Sequence, residues 1–375
     1  MKTLAVLILL ALPGRGDDEI VALTNLRILP VSRNPIVSGT IVIKGGKIAE
    51  VGADVKPPAG ARIVDCRGLV AFPGMVHAHS RLGLPDGGGA IGSTPQHLAF
   101  DELNPSVDAF AQAARTGVTT FLLQPAGSGI AGQAAAMKPS GWTREEQVIE
   151  KSAALRIVLQ PGTASKDALR QALEAGKKAI EGEKKTPPAK PDEKGAVLAR
   201  FLKGELPALV EVAAPAELLH FWQVMEPFAE FKPRITFVAS PDVYKASAEL
   251  GSRKARVLLR PLVAMAPFTR ERINTAAELV KAGAEVAFAP ISDAPDGLQG
   301  CLFRVAEMVK FGLPRDAALR AVTLVPAEIA GVEKRVGSID AGKDADLLLF
   351  TGDPLSPQSR LREVYINGTP VYRGE

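Results

Sequence analysis

The chain is 375 residues long, 46% hydrophobic and 23% charged, an ordinary globular composition that excludes a collagen-like repeat or an acidic solvating tail. Its 45 Lys and Arg against 41 Asp and Glu leave a net charge of +4, too even a balance to point to nucleic acid as a partner. Two cysteines without a Cys-x-x-Cys pair exclude a disulfide framework and a thiolate zinc site, and four histidines make any imidazole-based site sparse.

The N-terminus reads as an address. Lys2 precedes an apolar stretch over residues 4–12, followed by Pro13 and by small residues at Gly14 and Gly16, which predicts a secretory signal peptide over residues 1–16. That stretch falls well short of the roughly 20 apolar residues a span requires, and no cysteine follows it to carry a lipid. The expectation is a secreted or periplasmic protein with no membrane span. An oxidising compartment would permit a bond between Cys66 and Cys301, although the two fall in different parts of the chain.

Residues 17–69 carry short β-type runs at 20–29, 39–43, 47–51 and 62–64, with turn signals at Gly45-Gly46 and Pro57-Pro58. Over residues 70–331 apolar runs at 118–123, 208–212, 235–238, 257–259 and 286–288 alternate with segments of helical period at 108–115, 166–180, 216–231, 270–281 and 298–310. Strand–helix alternation predicts a parallel sheet, open or closed. Residues 332–375 return to β patterning at 346–350 and 364–366, with a tight turn at Asn367-Gly368. Residues 181–195, crowded with Lys, Glu and Pro, read as a solvated loop. Two G-x-G-x-x-G stretches, 87–92 and 127–132, lack the strand-then-helix setting of a nucleotide site and read as plain glycine-rich loops.

The chemistry concentrates at His77-Ala78-His79-Ser80-Arg81, after the apolar run 70–76. In a strand, residues two apart share a face, so His77, His79 and Arg81 would point together with Cα atoms roughly 6.7 Å apart. Two imidazoles at that spacing can reach one ion at about 2.0–2.1 Å; a hydrogen-bonded pair at a strand end fits the spacing equally well. His97 and His220 read as surface or packing residues.

The run Phe72-Pro73-Gly74-Met75-Val76-His77-Ala78-His79 resembles the PG-hydrophobic-hydrophobic-D-x-H-x-H signature of the amidohydrolase superfamily, in particular its imidazolonepropionase-like branch. The resemblance extends over residues 39–52, 109–121, 318–323, 337–346 and 364–368. It implies a (β/α)8 TIM-type barrel over 70–331, with a small β-sandwich built from both chain termini, 17–69 and 332–375. It also implies one divalent metal ion, zinc first, held by His77, His79, Glu211 and Asp293. In this comparison Glu211 stands where a further histidine belongs, Ser240 stands in place of another, Asp296 is second to Asp293, and Lys138 is a candidate inner-strand lysine.

On the family pattern Asp293 would be the catalytic residue that takes the proton of metal-activated water, although a helix N-cap is open to it as well. Arg81 would bind a carboxylate of a small-molecule substrate, or make an ordinary loop salt bridge. The implied function is an exported metal-dependent hydrolase of amide or other C–N bonds in small molecules. The alternative is a catalytically degenerate relative that keeps the barrel as a binding or scaffold module after losing metal ligands.

Overall fold

The structure is a computed structural model that describes residues 19–86, 92–105, 108–185, 190–266 and 268–374. The predicted signal peptide and nearly all of the first glycine-rich stretch lie outside the described residues.

Eight strands from the two ends of the chain make one sandwich-like sheet. They are β1 (Ile20–Ile28), β2 (Ile36–Lys44), β3 (Lys47–Gly52), β4 (Arg62–Asp65), β5 (Val70–Pro73) and, from the far end, β16 (Leu347–Phe350), β17 (Leu361–Ile366) and β18 (Thr369–Arg373). The order β18-β17-β16-β5-β1-β2-β3, with β4 against β1, interleaves the termini. Alternating Val21, Leu23, Ile41, Ile43, Leu347 and Leu349 fill its core. The apolar run 70–76 does not form one strand. At Gly74 the chain leaves β5 and enters the barrel, and a Cβ there would lie 2.0 Å from the Thr119 hydroxyl, so only glycine fits the crossing.

The barrel sheet runs β6 (Met75–Ser80), β7 (Val118–Leu123), β8 (Gly129–Met137), β9 (Val148–Leu159), β10 (Ala208–Val212), β11 (Ile235–Ala239), β12 (Arg256–Leu259) and β15 (Glu285–Phe288), in chain order around the ring. A small hairpin of β13 (Ala264–Met265) and β14 (Arg272–Ile273) follows β12. Helices including Asp108–Arg115, Thr163–Glu183, Glu193–Leu202, Pro215–Met225, Thr275–Ala282 and Cys301–Lys310 bury their apolar faces in the same core as the strands.

Two features depart from an ideal eight-fold repeat. β8 runs antiparallel to both neighbours; it is the second glycine-rich stretch continued, where a nucleotide site would need a helix. Between β15 and β6 no ladder forms among the described residues. The helix Leu324–Ile329 packs against both strands there, and Val76 N–H donates to Val322 O at 3.0 Å.

Because β8 runs against its neighbours, its end carries Lys138 to the base of the barrel, where Lys138 N–H donates to Gln147 O just ahead of β9. Lys138 is therefore not the inner-strand lysine that the family pattern suggested. Its ammonium lies 2.8 Å from Asp344, 2.9 Å from Asp346 and 2.5 Å from the Asn367 side chain, fastening barrel to sandwich. Cys66 and Cys301 are buried and free, each with its thiol pushed up to about 12, first by burial.

Removing one partner of a buried ion cluster leaves the others uncompensated, so Lys138→Met should cost about 3–5 kcal/mol. Denaturant unfolding checks this: the midpoint should fall sharply, whereas Lys177→Met, which loses only an exposed pair to Glu230, should change stability by about 1 kcal/mol or less.

Candidate active site

The site is assembled from the C-terminal ends of β6, β9 and β10 and the loop after β15. Arg156 on β9 is in register with Leu209 on β10, so Glu211, two residues on, shares its face. The two side chains make a forked pair: Arg156 Nε donates to Glu211 Oε1 at 2.7 Å and Nη2 to Oε2 at 3.1 Å. Arg156 Nη1 bonds to the carbonyl of Pro125. His79 Nε2 lies 2.8 Å from the same Glu211 Oε1. Burial alone would raise the Glu211 carboxyl, but the hydrogen bonds and charges of His79 and Arg156 outweigh it and hold the group down at about 2.

The second pair is His77 with Asp293. The His77 ring is only 2% exposed. Its Nδ1 accepts the His79 backbone N–H at 3.3 Å, which leaves Nε2 to carry the ring proton toward Asp293 Oδ1 at 3.1 Å. Asp293 Oδ1 also accepts the Ser80 hydroxyl at 2.7 Å, and Oδ2 the Arg81 backbone N–H at 2.8 Å. Burial pushes the His77 pKa down more strongly than Asp293 pushes it up, and charge from His79 and Arg260 adds to the fall. Burial raises Asp293, yet the hydrogen bonds and charge from His77, with those from Arg81 and Ser80, bring it to about 2.

The four residues expected as one metal-ligand set therefore stand as two separate pairs. Among the described residues no three His, Cys, Asp or Glu side chains gather closely enough to hold an ion. The cause is visible in the donor set: both oxygens of Glu211 are taken by Arg156, and His77 Nε2 is turned to Asp293. As they stand, these residues do not fit the family's ion.

Asp293 does not cap a helix. The next one, Pro295–Gln299, begins at Ala294 without a side-chain cap, and Asp296 Oδ1 only accepts the adjacent Gly297 N–H. Arg81 falls just past the end of β6, and its guanidinium is committed to the carbonyls of Gln124 (3.2 Å) and Pro85 (2.8 Å). It shapes a loop, where a substrate carboxylate or a salt bridge was expected. Ser240 follows β11 directly and stands at the N-cap of the 3-10 turn Pro241–Ala246. His97 pairs with Glu102 at 3.4 Å, and His220 lies on the helix Pro215–Met225.

Arg156 and Ser80 were missed. A signal for Arg156 exists, since it is the single charge in the apolar run Ala153-Ala154-Leu155-Arg156-Ile157-Val158-Leu159, and an arginine in such a strand needs a buried partner.

The Amidohydrolase family model matches residues 232–371. Among solved structures the chain is similar to an amidohydrolase from Thermotoga maritima, at 27% identity and a TM-score of 0.79 over 94% of this chain and 100% of that one. Among curated proteins it is 39% identical over 83 residues to an amidohydrolase of Hapsidospora irregularis and 38% identical over 85 residues to an allantoinase of Enterococcus faecalis. These matches cover 22% and 23% of this chain, but only 8% and 16% of those proteins.

Both carboxylates have folded pKa values of about 2, below their unfolded values, so their stabilisation is complete above the unfolded pKa of about 4 and is lost as the pH falls towards 2. Asp293→Asn and Glu211→Gln should each flatten the stability decline between those limits by on the order of 2 kcal/mol. Thermal unfolding from pH 5 to pH 2 would show it; an unchanged slope would mean the carboxylates are not held in this way.

Proposed function

We propose that this chain, which belongs to the amidohydrolase superfamily, hydrolyses a carbon–nitrogen bond of a small molecule at the mouth of its barrel. The observation that carries the reading is the presence there of two imidazole–carboxylate pairs with unequal access: the His77 side chain is 2% exposed and that of His79 24%. The names of curated relatives give it support, since allantoinase, adenine deaminase and dihydroorotase act on such bonds.

His79 is the proton carrier in this reading. Glu211 accepts from its Nε2 and fixes the ring, which leaves Nδ1 to take a proton from water, the division of labour of an oriented histidine base. Asp293 has its two oxygens already accepting from His77, the Ser80 hydroxyl and the Arg81 backbone N–H, so in this reading it does not take the water proton as the family pattern would have it. It serves instead as a fixed acceptor that orients His77, the Ser80 hydroxyl and the start of the next loop.

The reading also takes in export, supported by the pattern of residues 1–16, and a division into sandwich parts 17–69 and 332–375 around a barrel of 70–331. Two observations favour a second reading, a barrel that binds such a molecule without turning it over: Ser240 stands where the family has a histidine, and Arg156 occupies Glu211.

A panel of cyclic ureides, amides, cyclic imides and dipeptides, followed by mass spectrometry of products, separates the two. Hydrolysis of a panel member with a loss of about 10²–10⁴-fold in kcat/KM for His79→Ala is the expected result. Saturable binding with no product would select the second reading.

A further inference from the structure

We propose that the Arg156 guanidinium is the resident cation of this site, standing in the place of a metal ion and polarising the carbonyl of the bound molecule. The polarising role rests on the hydrolytic reading above; the exclusion of metal does not. Guanidinium stays protonated at every working pH. It neutralises Glu211 through both carboxylate oxygens and is anchored from behind by the Pro125 carbonyl. A divalent ion entering here would meet fixed positive charge, a carboxylate already paired, and a histidine whose Nε2 proton is turned to Asp293.

Three of the five N–H donors of Arg156 are engaged with Glu211 and Pro125. Two remain for a ligand oxygen, the arrangement that stabilises a developing alkoxide. The two free N–H groups of Arg156 suit a ligand that carries a carbonyl oxygen, such as an amide or ureide.

In the reaction, the oxygen of water bonds to the carbonyl carbon while its proton passes to His79, and the C=O π pair moves onto the oxygen facing Arg156. Collapse re-forms C=O and breaks the C–N bond, and the leaving nitrogen takes the proton back from His79.

The test needs no substrate. Purified full chain, Arg156→Lys and Arg156→Gln are incubated with excess zinc sulfate, desalted and assayed for bound zinc, with a thermal melt of each as a folding check. The expected result is no stoichiometric zinc in the wild type or in Arg156→Lys, which keeps the charge, and a gain of bound zinc in Arg156→Gln, which frees Glu211. About one zinc per wild-type chain, lost in Glu211→Gln, would overturn the proposal; so would a folded Arg156→Gln that gains none. Should Arg156→Gln fail to fold, dialysis of the wild type against EDTA decides: an unchanged thermal melt agrees with the proposal, and a lowered melt restored by zinc overturns it. Absence of turnover would end the hydrolytic reading while leaving the metal result intact.

Discussion

A guanidinium that cannot lose its proton, placed on the inner face of a barrel strand, sets the terms for everything around it. Arg156 must have a partner, because an unpaired charge at 12% side-chain exposure is costly. Glu211 is that partner, one strand away and on the same face. Once the pair is made, Glu211 is held ionised, His79 is held by Glu211, and the His79 backbone N–H in turn fixes which nitrogen of His77 carries the proton. The chain of consequence ends at Asp293, which ties the loop after β15 back to β6.

The barrel thus carries an ion cluster at each end, and the two have different characters. At the base, Lys138 with Asp344, Asp346 and Asn367 is sealed, joining the barrel to a sheet made from both ends of the chain. At the mouth, the Glu211 and Asp293 side chains remain 22% and 30% exposed, so a small molecule can reach them. Gly74 links the two regions: the strand that bears both histidines begins where the chain crosses out of the terminal sheet, at a point with no room for a side chain.

Much of the fold was legible in the sequence, because alternation of apolar runs with helical period is a long-range signal that survives local irregularity. The terminal β units, the parallel barrel strands and the placement of His77, His79, Glu211 and Asp293 at one end all follow from it together with the family resemblance. What escaped has physical reasons. β8 is Ala- and Gly-rich, Gly129-Ile130-Ala131-Gly132-Gln133-Ala134-Ala135-Ala136-Met137, and such a buried strand shows neither period. Its reversed direction could not be read, and with it the position of Lys138 was lost. The pairing at the site was hidden because spacing shows which residues share a face and says nothing of which cation reaches a carboxylate first. Arg81 followed the two histidines in register, but the pairing of β6 shifts between His77 and Ser80 and the strand ends at Ser80, which leaves Arg81 in the loop.

The most direct test is a crystal structure of the protein grown with zinc in the mother liquor and measured on both sides of the zinc absorption edge. The expected result is the Arg156–Glu211 fork in place, a ligand oxygen or ordered water on the free guanidinium donors, and no anomalous peak near His77 and His79. An anomalous peak bonded to those histidines, with Arg156 swung away from Glu211, would contradict it.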